Sequence, residues 1–197
     1  YYGLPYYNGG TNMPHAGNPY AGKFDALTDC WHDFFNGPAV YTKYYTGSLT
    51  ANVDRSDGLA GPLYSYDKEF QWKSIRAAQI FLANVDRAPE ADMTQEEKAE
   101  ARCLMVDAFF NTFQHFGGIP IMDHPLEINE VSGQFPRNTV EECVNWMVDE
   151  LDKAIAESAL PWKATATMNG RWTKAGAMAL KCKVLQFAAS PLLNPED

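Results

Sequence analysis

Residues 94–118 read TQEEKAEARCLMVDAFFNTFQHFGG, and this stretch decides the fold. Ala101, Leu104, Met105, Ala108, Phe109, Phe113 and Phe116 recur at three- and four-residue spacing, which lines one face of an α-helix. Thr94 followed by Glu97 has the form of a capping box, in which hydroxyl and carboxylate satisfy free amides at a helix start. Gly117-Gly118 then ends the run, because glycine tolerates the left-handed backbone that closes a helix.

The same period appears on either side. A helix is expected from about Lys68 to Asp86, with Trp72, Ile75, Ala78, Leu82 and Val85 on one face. A third starts at Thr139, where Thr139 and Glu142 form a second capping box. Its stripe is Val140, Cys143, Val144, Met147, Val148, Leu151 and Ile155. A fourth runs from about Arg171 to Ala189, with Ala175, Met178, Ala179, Cys182, Leu185 and Ala189 expected to face inward, and Pro191 ends it. Between the pairs lies 117–137, a loop containing Pro120, Pro125 and Pro136, where Ile119 and Ile121 are the candidate for a short strand. Two αα-hairpins in succession predict a mainly all-α, helical-repeat scaffold of tetratricopeptide type. Long ordered loops and at most short β pieces complete it. The tetratricopeptide consensus itself is absent, so this reading is geometric.

The opening third has a different texture. All ten tyrosines and nine of the fourteen glycines lie in residues 1–66. Tyrosine offers a stiff apolar face with a hydrogen-bonding tip, and Gly and Asn allow irregular loops. The sequence therefore divides into a Tyr/Gly-rich, ligand-binding region, 1–66, and a helical scaffold, 67–197, as parts of one domain. A sugar binds by stacking its C–H face on an aromatic ring while its hydroxyls meet polar side chains. Trp31, Tyr41, Tyr44 and Tyr45, with His32, Asp33 and Asn36, are the best supply of those groups. The competing reading packs Trp31 beneath its loop with Phe34 and Phe35. Trp72, Trp146 and Trp172 are expected to pack on helices, with Trp162 in a loop beside Pro161.

The totals exclude several classes. The net charge of −9 and the lack of any basic run argue against nucleic acid and against a polybasic membrane patch. No apolar run is long enough for a spanning helix, and no signal peptide is visible. Cys30, Cys103, Cys143 and Cys182 are widely spaced, which favours buried thiols over disulfides or a zinc site. No metal or other cofactor is expected. Asp25, Asp29 and Asp33 lie at i, i+4 and i+8, a spacing that would put them on one helical face if that stretch is helical, and glycosidases need two carboxylates close together; such a run is ordinarily a solvated stripe. His115 and His124 flank the Gly-Gly-Ile-Pro turn without ligand spacing, and no nucleophile or phosphate-loop motif is present.

Five segments in order then resemble one family. Asp25-Ala-Leu-Thr-Asp29 is similar to its early acidic turn. Trp72-Lys-Ser-Ile75 through Ala83-Asn84 is similar to its W…I…AN helix. Glu100-Ala101-Arg102, with Phe109, Phe110, Phe116, Gly117, Gly118, Ile119 and Pro120, is similar to its EAR…YF…GG-P stretch. Arg137-Asn-Thr-Val140 with Asp149-Glu-Leu151 and Ala154-Ile155 is similar to its R-x-S/T-V…DL…AI helix. Gly170-Arg171-Trp-Thr-Lys174 and Ala189-Ser190-Pro191-Leu192 are similar to its GR-x-T…SPL block. Together these resemble the SusD/RagB family of bacterial outer-membrane nutrient-binding lipoproteins. The resemblance implies a non-enzymatic glycan-binding protein on the cell surface, of the kind used in starch and other polysaccharide utilisation. It also implies a SusC-like TonB-dependent transporter as partner and an N-terminal lipid anchor on the outer membrane. The RagB branch implies oligopeptides as the alternative ligand; a glycoside hydrolase is the third reading. Against the family's usual length, the chain is expected to be an N-terminal portion truncated at both ends.

Overall fold

The computed structural model describes residues 29, 45–47, 71–87, 91–127, 129–130, 135–156, 160–164 and 170–194. The chain divides into two compact units, Tyr1–Phe70 and Gln71–Asp197. Among the described residues of the second unit there are four α-helices and no strand. They are α1 (Gln71–Asn84), α2 (Ala91–Phe116), α3 (Val140–Ala156) and α4 (Lys174–Ala188), and a 3-10 turn, Val85–Arg87, follows α1. The architecture is all-α and of helical-repeat type.

The helices stack in chain order. α1 packs on α2, α2 on α3 and α3 on α4, with a smaller contact between α2 and α4. α2 therefore buries residues on more than one side. Besides Ala101, Met105, Ala108, Phe109 and Phe113, it buries Ala99, Cys103, Val106, Phe110 and Thr112. A helix apolar around most of its circumference is a core helix. Ile75 of α1, Met147 and Leu151 of α3 and Val184 of α4 fill the spaces on either side.

The ends follow sequence chemistry in two places. The Glu142 backbone N–H donates to Thr139 Oγ1 at 3.1 Å, and the Thr139 N–H donates to Glu142 Oε2 at 2.8 Å. This reciprocal box caps α3 and is worth about 1 kcal/mol. The same backbone bond holds the Glu142 carboxyl below its ordinary value. Gly117 closes α2 at φ +71°, its N–H donating to the Phe113 carbonyl at 2.8 Å.

Other expectations need correcting. α2 begins at Ala91, so Thr94 lies inside the helix and is not its cap. Ala91 is a strong helix former and Pro89 lies just upstream, which together favour the earlier start. α4 begins at Lys174, three residues later than the spacing predicts, because Thr173 is its N-cap and accepts from the Gly176 N–H at 3.1 Å. Trp172 consequently lies ahead of the helix.

The inward face of α4 is Ala177, Leu180 and Val184, whereas Met178, Leu185 and Cys182 are exposed. Ala175, Ala179 and Ala189 are exposed with them. The segment KAGAMALKCKVLQFA offers two apolar stripes, and packing chooses between them. Phe187 sits edge-on to both Phe110 and Phe113 at 5.8 Å, which fixes the rotation of α4. Lys181 then reaches Asp152 of α3 at 2.6 Å.

Three cysteines are among the described residues and are free thiols: Cys103 and Cys143 are buried as expected, whereas Cys182 is exposed, and Cys30 lies outside the described residues. Burial, with Glu100 and Asp107 nearby, pushes the Cys103 thiol up to about 12, so it is inert. Ile119 and Ile121 form no strand. Their backbone groups are taken by the Cys143 thiol and by Asn138 instead. No helix among the described residues is long and apolar enough to cross a membrane.

Candidate functional site

Of the seven residues that the sequence marks for ligand contact, Tyr45 is half-buried at the start of a turn, Tyr45–Gly47, in which Gly47 has φ +69°. Trp31, His32, Asp33, Asn36, Tyr41 and Tyr44 lie outside the described residues. Trp162, exposed at 63%, stands in the loop before α4 with the Lys174 ammonium 5.6 Å from its ring centre.

The helical unit holds a concave site of its own. A cleft of about 310 Å³ is walled by α1, α2, α3 and the segment after α2. Helical spacing builds its walls: Gln79, Leu82 and Ala83 share a face of α1, Arg102 and Met105 share one of α2, and Trp146 and Glu150 lie one turn apart on α3. The fourth wall is Met122, Asp123, His124 and Pro125.

That fourth wall is irregular backbone, and several bonds hold it. Gly118 passes so close to the chain entering α3 that a Cβ there would lie 2.1 Å from the Asn138 carbonyl oxygen. Arg137 donates through Nε to the Gly118 carbonyl at 2.7 Å and through Nη2 to the Phe116 carbonyl at 2.6 Å. It thereby satisfies the open carbonyls at the end of α2. The Ile121 N–H donates to Asn138 Oδ1 at 2.9 Å. The buried Cys143 Sγ accepts from the Ile119 N–H at 3.4 Å and donates to its carbonyl at 3.3 Å. Gln79, only 6% exposed, donates its side-chain amide to the Met122 carbonyl and so fastens the segment to α1.

The polar groups of the cleft are positioned in pairs. Arg102 Nη1 lies 2.5 Å from Glu150 Oε2, and Lys153 Nζ lies 2.6 Å from Glu150 Oε1. The Glu150 side chain is 9% exposed, so it is a partly desolvated carboxylate held between two cations. At the mouth, His124 Nδ1 is 2.6 Å from Asp123 Oδ1 and its Nε2 is 2.9 Å from Glu130 Oε1. These hydrogen bonds raise the imidazole above its ordinary value, and the bond from His124 lowers Asp123. Glu130 is also lowered, first by the Glu127 N–H it accepts at 2.7 Å and then by His124. Trp146 forms the aromatic wall, its ring 4.6 Å from that of buried Phe109.

The cleft can hydrogen-bond and cover a small molecule. Among the described residues no group of three His, Cys, Asp or Glu side chains could hold a metal ion. Sequence reasoning placed Trp146 as a packing residue, which it is; it left Gln79 unmarked, met Arg102 only in the EAR stretch, and read Glu150 as surface charge, whereas Glu150 is buried against Arg102. The available signal was Gln79: a polar residue on the apolar stripe of α1, between Ala78 and Leu82, needs a buried partner. His115 has a structural contact, its Nδ1 2.7 Å from the Asn111 carbonyl oxygen.

No family model and no curated protein matches the sequence. Solved structures do. A SusD-like protein from Bacteroides fragilis superposes with a TM-score of 0.60 at 24% identity, over 74% of this chain and 28% of that one. A laminarin-binding SusD-like protein gives 0.56 at 22% identity, over 68% and 30%. Surface glycan-binding protein A from Bacteroides thetaiotaomicron, in complex with laminarihexaose, gives 0.52 at 19%, over 62% and 24%. The chain thus spans less than a third of the length of each of these proteins. Over the aligned part, this chain shares the helical fold of the SusD-like proteins.

Proposed function

We propose that the chain is part of a cell-surface glycan-binding protein of the SusD/RagB type, with no catalytic activity of its own. The observation that carries this reading is the shared fold with a laminarin-binding SusD-like protein and with a surface glycan-binding protein solved with laminarihexaose. The Tyr-rich first third, with Trp31, supports it, since aromatic rings beside Asn, Asp and His are the chemistry of sugar stacking. In this reading Trp31, Tyr41, Tyr44 and Tyr45 stack on the glycan, and His32, Asp33 and Asn36 meet its hydroxyls. A lipid anchor holds the whole protein at the outer membrane, where it delivers oligosaccharide to a TonB-dependent transporter. Stacked helix pairs offer the extended surface such a partner needs.

The test is retardation of the chain in gels containing laminarin, starch, xylan or mannan, followed by calorimetry on whichever polysaccharide retards it. Binding of one glycan class without release of reducing ends is expected, and Trp31→Ala should weaken it at least about tenfold, on the order of one lost stacking contact. Capture of mixed peptides with no glycan binding would overturn the reading, and so would hydrolysis of the retarding polysaccharide.

A further inference from the structure

We propose that the cleft between α1, α2, α3 and residues 122–125 is a second ligand site, which takes a single uncharged, hydroxyl-rich ring such as a monosaccharide. The inference does not rest on a glycan site in residues 1–66, and it concerns a different part of the chain.

Three observations carry it. The first is size: at about 310 Å³ the cleft is at the small end of ligand pockets, suited to one ring and not to a chain. The second is the aromatic wall. Trp146 is half-buried and held against Phe109 at 4.6 Å, so a flat indole is fixed in place beside the cleft with little rotamer freedom left to lose on binding. The third is the polar inventory. Gln79 is immobilised through Met122, Glu150 lies between Arg102 and Lys153, and Asp123 is tied to His124. Each group is already oriented, as a binding site needs.

The charge pattern then selects the ligand class. Arg102 faces Glu150, and His124 faces Asp123, so each charge lining the cleft has an opposite one beside it. An anion would meet Glu150 and Asp123, and a cation would meet Arg102. A neutral molecule that both donates and accepts hydrogen bonds fits either, and an apolar C–H face fits Trp146.

The experiment is a two-dimensional NMR titration of the isotope-labelled 197-residue chain with glucose, galactose, mannose, xylose and N-acetylglucosamine, and with glucuronate and glucosamine as charged controls. Saturable shifts at the Trp146 indole N–H and the Gln79 side-chain amide are expected from at least one neutral sugar in the millimolar range. Ala83→Phe places a ring in the cleft from an exposed position of α1 and should abolish them. Asp123→Ala, at the solvent-facing mouth, should weaken them about tenfold, the loss of one good hydrogen bond, and serves if the Phe variant folds poorly. Ala83→Phe should at the same time keep any polysaccharide retardation in gels, as expected of two separate sites. Absence of saturable shifts, shifts that survive Ala83→Phe, or shifts produced by the charged sugars alone would each overturn the proposal.

Discussion

Glu100 is where two distant parts of the scaffold meet, and removing it is the sharpest test of how the stack is held. Its Oε1 and Oε2 accept from Arg171 Nε at 3.0 and 3.1 Å, its Oε2 also accepts from Arg171 Nη2 at 2.5 Å, and its Oε1 accepts from the Trp172 N–H at 3.1 Å. The carboxylate is 12% exposed and the guanidinium 37%. The Arg171 value is raised, chiefly by this bond. Breaking a fully buried pair costs about 3–5 kcal/mol, and a fully exposed pair is worth about 1 kcal/mol or less. With one partner buried and the other more than a third exposed, the pair itself should contribute about 1–2 kcal/mol. Glu100→Ala also strands the Trp172 amide, which costs about 1 kcal/mol more. The total, about 2–3 kcal/mol, is measurable by urea unfolding followed by circular dichroism. A double-mutant cycle with Arg171→Ala separates the two parts, because the stranded amide is common to Glu100→Ala and the double variant and cancels. Coupling of about 1–2 kcal/mol is expected, reduced but not erased in 1 M salt. Coupling below about 0.5 kcal/mol would refute the latch and leave the contact as a surface pair.

Two further outcomes follow from the geometry. Leu180→Ala should cost about 2–5 kcal/mol and Leu185→Ala less than about 0.5 kcal/mol, since Leu180 is 6% and Leu185 44% exposed; the reverse order in thermal unfolding would mean α4 is rotated. His124, tied to Asp123 and Glu130, should titrate above the ordinary value of about 6.5 in a proton NMR titration, and Glu130→Gln should bring it down. Because the folded value is raised, its support of the 119–127 segment is full below the ordinary value and is lost as pH rises through the raised one. Amide exchange in that segment should therefore quicken as pH rises through the raised value, beyond the intrinsic rate, and a His124 that titrates at or below the ordinary value would count against the tie.

The scaffold was legible wherever a local signal had one solution. The Thr139–Glu142 box caps α3 as its spacing predicts, and Gly117 ends α2 with the positive φ that only glycine takes freely. The stripes of α1 and α3 were legible at their central positions, Ile75 and Ala78 in α1 with Val85 in the turn that follows it, and Cys143, Met147 and Leu151 in α3, all of which are buried. α4 was not, since Ala, Met, Cys, Leu and Val occupy most of its circumference and the choice of face belongs to Phe110 and Phe113, some seventy residues away. Thr94 misled for a related reason: a capping box read alone has no rank against an earlier start at Ala91. The cleft was illegible because it is made of pairs from different helices, such as Arg102 with Glu150, whose meeting depends on the stack being formed.

Several of the motifs that carry the family resemblance have a structural task here. Glu100 and Arg102 of the EAR segment bind Arg171 and Glu150, which ties α2 to the entry of α4 and to α3. The two glycines turn the chain at the end of α2 and let it pass Asn138. Arg137 closes the carbonyls of α2, and Thr139 opens α3. None of these residues except Arg102 lines the cleft, and none lies in the aromatic first third. Such motifs therefore report on how the helices are locked together, and two proteins that share them can bind different ligands on one scaffold. On the two proposals made above, ligand choice resides where the motifs are silent: in Trp31, Tyr41, Tyr44 and Tyr45, and in the polar pairs around Trp146. This is why gel retardation with Trp31→Ala and NMR titration with Ala83→Phe probe function, whereas Glu100→Ala probes only the frame that holds it.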